Sequence, residues 1–575
     1  MSARGRARAM LPKLGLLLTL LTLLALVACA HGNTSDSAAP RADAGSDAQA
    51  SFDVGSESSC SGESCKSPCL LAEDSHSSVG CEYWAVDMDA PFSADNGCFV
   101  AFVANTYDKP AHLSVSFFGD DIDIASHVKI PRGSGQSLTY EDFDGSSGLP
   151  PGEVAIVFLA GVPDGAVHVP GDNKPVPCPV APARTSLTQL HGTGRTHAFH
   201  LRTDVPVVAY QMLPYGGGNA AVTGASLLIP TSAWDTNYVA ATAFETSGET
   251  SFDIVAFEDD TTVTILPKSV IRPGGGLPGG KAGEPMDVKL DQGEVLQITQ
   301  PQPLSGSPVQ ADKPIGFFAG EPCMTVPSGV PFCDHGEQQI PPIRALGSEY
   351  VGASYRPRAD HAEDPPWRII GAVDGTTLTY DPPLAGAPTT LNLGDVALFN
   401  SKGRAFVVRS QDAEHPFLFS SYMTGATTVN TATEQGYGDP DFVRVVPAAQ
   451  YLDHYVFFTD PTYPETNLVV TRKRGASGFP EVKLDCAGTL TGWTKVDAAG
   501  NYEMTRIDLV RHDFVGQNGC DNGRHEMTST ARFGLTVWGW GTAETKTFTG
   551  FVSYGYPAGE NLAPLNTVVV PARPR

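Results

Sequence analysis

The sequence predicts an all-β protein built from internal repeats, on three observations. The 575 residues include 60 Gly and 46 Pro, more punctuation than long helices tolerate. Short runs of alternating apolar and polar residues, bounded by turn residues, recur along the chain. The same segments also return at a period of about a hundred residues, and a fixed period is the mark of a repeat architecture.

The length exceeds what one hydrophobic core normally fills, and suits three or four domains or one large repeat assembly. Lys and Arg number 38 against 63 Asp and Glu, a net charge of −25. A sequence-independent grip on nucleic acid needs a basic surface, so no nucleic-acid partner is expected. A polyphosphate binder is equally disfavoured.

Arg4, Arg6, Arg8 and Lys13 precede the apolar run Leu14–Ala28. This is the charged start and short apolar centre of a secretory signal, too short for a membrane span. It ends in Leu26-Val27-Ala28-Cys29, which looks like a bacterial lipobox, so a signal peptide over 1–28 and lipidation of Cys29 are predicted. No polybasic patch follows to hold anionic lipid, so attachment comes from acyl chains. The predicted address is the bacterial outer membrane, at the cell surface or on the periplasmic face. Residues 29–59 are rich in Ser, Ala, Gly and Asp with Phe52 the only aromatic, a disordered tether with a reach of roughly 30 Å. A Cys-rich lead-in over 60–80 leads into the β-repeat domain, 81–575.

With Cys29 set aside, ten of the 11 cysteines remain, an even number that in an exported chain reads as disulfides. Spacing suggests Cys81 with Cys98, Cys323 with Cys333 and Cys486 with Cys520. Cys60, Cys65, Cys69 and Cys178 then pair among themselves in an order the sequence does not fix. The competing reading, a zinc site at Cys65, Cys69 and His76, is disfavoured by the even count and the oxidising compartment.

Four recurring segments define the repeat. A proline stands eight residues before a tyrosine at Pro230 and Tyr238, Pro342 and Tyr350, and Pro447 and Tyr455. Phe252 to Ile265 aligns without gaps on Trp367 to Tyr380, alternating apolar residues around Asp-Asp or Asp-Gly, which predicts a tight hairpin. Leu149-Pro-Pro-Gly-Glu-Val, Leu290-Asp-Gln-Gly-Glu-Val and Leu391-Asn-Leu-Gly-Asp-Val each lead into an apolar strand, and Pro206, Pro314 and Pro416 each open one. Asn566 to Pro571 copies the strand before the repeat's proline, while Cys81 to Asp87, with Tyr83, reads as the tyrosine strand that should follow. The last repeat is therefore expected to be completed by the first, as a closed ring requires. Four double-blade repeats predict a β-propeller of seven or eight blades. Tandem β-sandwiches are the alternative.

From Pro314 to Pro342 the sequence resembles the IgGFc-binding protein N-terminal domain family, whose repeats join a proline-led apolar strand, a cysteine pair and a Cys-Asp-His…Glu-Gln…Pro stretch. Here that stretch is Cys333, Asp334, His335, Glu337, Gln338 and Pro341 or Pro342. Tyr210-Gln211 and Ala225 to Pro230 look like the bacterial branch, found in exported proteins and lipoproteins. The resemblance covers roughly 80–575 and implies an interaction module. The von Willebrand-type repeats of the animal, mucus-associated members are missing, and antibody binding is not carried across.

Other candidates have plainer readings. Gly275 to Lys281 has phosphate-loop spacing, but Ala282 replaces the magnesium-binding hydroxyl and no helix follows, so a hairpin connection is expected. His197 and His200 fall on opposite faces of a strand, one exposed and one packed. Asp120, Asp121 and Asp123, with Asp87 and Asp89 upstream, are weak calcium candidates without the calcium-loop pattern. Asp334, His335 and Glu337 are read as fixing a loop by hydrogen bonds in preference to acid–base chemistry. Trp234, Trp367, Trp538 and Trp540 are candidates for contact surface, though core packing explains aromatics equally well. No cofactor and no metal are expected, and no enzymatic activity. The function expected is a lipid-anchored envelope protein whose head binds a protein or glycan partner, in adhesion or recognition. A periplasmic scaffold is the alternative, and a hydrolase with unrecognised carboxylates a remoter one.

Overall fold

In the computed structural model the described residues are 66–573, apart from 91–93, 95, 163–176, 187, 218–221, 245–247, 360–362, 430–436 and 543–549. The predicted signal peptide, Cys29, the tether, Cys60 and Cys65 lie outside them.

The proline-to-tyrosine spacing has a local cause. Pro230, Pro342 and Pro447 hold φ at −64°, −64° and −63°, as the pyrrolidine ring imposes, and each caps one 3-10 turn. The turns deliver the chain into short strands, Asp235–Val239, Glu349–Gly352 and Leu452–Thr459, that carry the tyrosines. Tyr83 occupies the same place in Val79–Ala85, entered from the helix Pro68–Ser75. All four rings are buried. Their hydroxyls donate to backbone carbonyls of a neighbouring long strand: Tyr83 to Val207 (2.6 Å), Tyr238 to Ile315 (2.7 Å), Tyr350 to Phe417 (2.6 Å) and Tyr455 to Phe533 (2.5 Å). In three repeats the same oxygen accepts the N–H three residues upstream, from Asp235, Gly347 and Leu452.

Those carbonyls sit where the long strand bends. Gly80 opposes Val207 but Glu82 opposes Arg202, so the register jumps just where Pro206 removes a ladder donor. The long strands Phe199–Leu213, Pro308–Met324 and Gly523–Trp540 run through two layers, and the third repeat splits the same path into Phe406–Ser410 and Phe417–Met423.

The expected hairpin is absent for the same reason. Thr250–Ala256 and Thr261–Ile265 do not pair with each other; each pairs with a different half of Pro308–Met324. Pro366–Gly371 and Thr376–Asp381 lie in separate sheets. The Asp-Asp and Asp-Gly turns carry the chain between layers, because alternation specifies which face is buried and not which strand is the neighbour. The Gly-Glu-Val motif is a turn in all three places, with Gly152, Gly293 and Gly394 at φ +74°, +73° and +79°. Each of these glycines donates its N–H to the end of the preceding strand of its repeat, at Asn105, Ala256 and Gly371.

The fold is therefore all-β, and its layers agree with the tandem-sandwich alternative; the third repeat divides into two four-stranded sheets, whereas in each of the other three a long bent strand joins the layers into one sheet, so eight separate blades are not formed among the described residues. The last strands of the four repeats, Gly224–Leu227, Asp334–Ile340, Asp441–Arg444 and Ser553–Pro557, pack around one another in a cycle. First and last repeats do meet, though not through the expected strand. Ser78 N–H donates to the Glu560 carbonyl at 2.8 Å and Leu562 N–H to His76 at 2.5 Å. Residues 564–572 form no strand. Asn566 donates to Ile343 and Leu346, and Asn237 exchanges bonds with Val570, so the tail lies along the second and third repeats.

Disulfides join Cys323 to Cys333 and Cys486 to Cys520. Cys81 and Cys98 are not partners: Cys81 pairs with Cys69 and Cys98 with Cys178. The helix carrying Cys69 packs on the Cys81 strand, and the Cys178 backbone bonds to Val162 just past the strand paired with Phe99–Asn105. With Cys69 oxidised and His76 bonded to the Ser232 carbonyl, the zinc reading has no thiolate at Cys69.

Candidate binding face and the buried hub beneath it

Every residue of the four inner strands is buried. At one end of this hub, one residue from each repeat meets the others. The Thr223 N–H donates to Asp334 Oδ1, and Thr223 Oγ1 donates to the Ser553 carbonyl at 2.5 Å. Ser553 Oγ lies 3.0 Å from Asp334 Oδ2 and 2.7 Å from the Asp439 carbonyl.

The remaining family-motif residues extend the same network. Gln338 Nε2 donates to the carbonyls of Ala225 and Gly555, 2.9 Å each, tying three inner strands together. Glu337 Oε2 accepts from Gln211 Nε2 at 2.6 Å, and Gln211 exchanges two 3.0 Å bonds with the Val86 backbone. His335 Nε2 is 3.8 Å from Glu337 Oε2, with both side chains fully buried. A Cβ on Gly224 would come within 2.9 Å of the His335 ring, so glycine is what lets the two strands approach. Arg444 Nε donates to the Gln339 carbonyl at 2.7 Å, while its other nitrogens clasp both oxygens of Glu560.

The hub is unusually acidic for an interior. Burial, and then the Asp439 charge, pushes Asp334 well above the carboxylate range. Burial likewise raises Asp441, and raises Asp439 to about 7. Asp253, whose two oxygens meet no partner among the described residues, is raised by burial and by the Asp89 charge. Burial favours the neutral form of each, because an unpaired buried charge is costly. These carboxylates do not form a metal cage: among the described residues the one cluster of three close donors is Asp485, Cys486 and His525, and Cys486 is in a disulfide.

At this end of the hub lie the described parts of the segments that join each long path to its inner strand: 214–217 and 222–223, 325–333, 424–429 and 437–440, and 541–542 and 550–552. The Gly425 N–H donates to Val326 and the Gly438 N–H to Gly550, 2.8 Å each. The Cys323–Cys333 disulfide clasps the second loop, whose Phe332 is 43% exposed and packs on Phe551 with ring centroids 5.0 Å apart. Sequence reasoning passed over Phe332, although its place beside the motif cysteine marked it.

Other predicted candidates lie elsewhere. Asp120, Asp121 and Asp123 are exposed on and beside the strand Asp120–Ile122. Asp87 and Asp89 are buried and bonded instead to Thr188, Gln189, His191 and Gly192. His200 stacks on Trp84 and reaches Glu82 at 2.6 Å, and His197 packs on exposed Phe118, so both histidines are half-buried. Gly275 to Lys281 forms a hairpin connection, with Gly274 bridged to Leu277. Trp234, Trp367, Trp538 and Trp540 are buried, which removes them as contact surface.

Residues 224–539 match the family described as IgGFc binding protein. The human IgGFc-binding protein is 25% identical over 347 residues, which is 60% of this chain and 6% of that protein. The chain thus spans a small fraction of the length of the curated relative it matches. No solved structure matches it.

Proposed function

This chain belongs to the IgGFc binding protein family, and on that premise we propose that it is a non-enzymatic binding module that presents the loops over its hub to a protein or glycan partner. The observation that carries this reading is the pairing of a rigid base with an exposed aromatic tip. Phe332 stands exposed on the disulfide-clasped loop and packs on part-buried Phe551 of the fourth repeat's loop, beside strands with no exposed residue. Aromatic side chains on a fixed frame supply contact area at low entropic cost. The finer reading places this head on the bacterial outer membrane, lipid-anchored through Cys29 and acting in adhesion or recognition.

Two measurements test it. An impermeant protease on intact cells, with a periplasmic protein as leakage control, cleaves a surface head and spares a periplasmic one. Replacing Phe332 and Phe551 by Ala is expected to weaken adhesion of cells carrying the protein at least tenfold while leaving its unfolding midpoint within a few degrees. Unchanged adhesion would retire the loop face as the binding surface.

A further inference from the structure

Arg506 lies part-buried on the strand Tyr502–Arg511 and, among the described residues, has no carboxylate within ion-pair distance. That is unexpected in a chain with 63 acidic residues against 38 basic ones. Its Nε donates to the Ser354 carbonyl at 2.7 Å. Among the described residues, the other four of its five N–H donors have no acceptor. Neighbouring arginines differ: Arg356 is held by Glu465 and by Asp508, Arg358 by Glu363, and Arg511 lies 3.8 Å from Asp508. Glu465, Asp508 and Glu363 are therefore already paired with other arginines. Burial draws the Arg506 pKa down. A charge held this way is unfavourable until an anion joins it.

Arg506 lines a cavity of about 90 Å³ with Ser354, Tyr355, Glu363, Lys402 and Gly403. That is room for a small oxyanion. Glu363 brings no free charge, since Arg358 and the Tyr355 hydroxyl occupy its oxygens. Lys402 is exposed, and no ion pair holds it among the described residues. Two uncommitted cations thus share one cavity on a protein of net charge −25.

We propose that this cavity binds a small oxyanion, the carboxylate or sulfate group of an acidic ligand, with Arg506 supplying paired N–H donors and Lys402 the second charge. The guanidinium fork matches the paired oxygens of such groups, which a point charge does not. The site is separate from the Phe332 face and does not depend on it.

The test is calorimetric titration of the intact protein with sulfate and with acetate, at constant ionic strength in chloride. A second arm uses an oligosaccharide ending in an acid sugar beside its neutral counterpart. Saturable one-site binding is expected, weakened at least about tenfold by Arg506→Met and about threefold by Lys402→Ala. Tighter binding of the acid sugar than of the free anions assigns the group to a glycan; equal binding assigns it to a free anion. Absence of saturable binding, or affinity unchanged in both variants, overturns the proposal. Should Arg506→Met fail to fold, unchanged affinity in the surface variant Lys402→Ala overturns it alone.

Discussion

Ser553 Oγ lies 3.0 Å from Asp334 Oδ2, bringing together residues of the fourth and second repeats, and the same oxygen is 2.7 Å from the Asp439 carbonyl. A hydroxyl has one hydrogen, so it serves both acceptors only if the carboxyl brings its own. With Asp334 protonated, its O–H donates to Ser553 and Ser553 donates to Asp439. Burial, which pushes Asp334 well above the carboxylate range, favours that state.

The first prediction follows from these neutral acids. A carboxyl whose folded pKa is raised contributes stability that is whole below its unfolded value near ~3.9 and is lost as pH rises through the folded value. For Asp439, and for Asp460, buried just past the strand Leu452–Thr459, both raised by burial to about 7, the loss runs from about pH 4 to about pH 7, at up to about 1.4 kcal/mol per pH unit for each. Denaturant midpoints should fall from pH 5 to pH 8, and Asp439→Asn should flatten the decline. A midpoint that rises over this range contradicts a protonated hub.

The tyrosine hydroxyls give the second. Tyr350→Phe leaves the buried Phe417 carbonyl and Gly347 N–H without their partner, at a cost of about 1–3 kcal/mol. Tyr238→Phe and Tyr455→Phe should cost similar amounts, because the geometry repeats. Urea unfolding of the three variants checks both magnitude and equivalence.

Ring closure gives the third. Arg444 and Glu560 form a buried pair that fixes the C-terminal segment already bonded to Ser78. Removing one partner, as in Glu560→Gln, should destabilise by about 3–5 kcal/mol, whereas Arg444→Met with Glu560→Leu should recover much of that loss. A double-mutant cycle without coupling would show that the pair does not hold the closure.

The fourth concerns covalent connectivity. Non-reducing peptide mapping should find Cys98 linked to Cys178 and Cys69 linked to Cys81, with no Cys81–Cys98 peptide. Replacing Cys98 and Cys178 by Ser should cost about 2–5 kcal/mol, since that bridge closes a loop of 80 residues.

The sequence by itself determined the repeat, its four-fold recurrence, the all-β class and the residues that make each turn. All of these rest on local chemistry: proline fixing φ before a 3-10 turn, glycine at positive φ in the Gly-Glu-Val turn, alternation marking a buried face. It also pointed to Asp334, His335, Glu337 and Gln338, without their setting. Only the tertiary structure decided which strands are neighbours, that Thr250–Ala256 and Thr261–Ile265 flank a long strand from the far end of their repeat, and that Cys98 meets Cys178. It alone brought Thr223, Asp334, Asp439 and Ser553 to one point and left Arg506 without a carboxylate partner among the described residues. The reason is physical: hydrophobic period and turn chemistry act within about ten residues, whereas pairing, burial of charge and ring closure are set by contacts hundreds of residues apart, which no local pattern encodes.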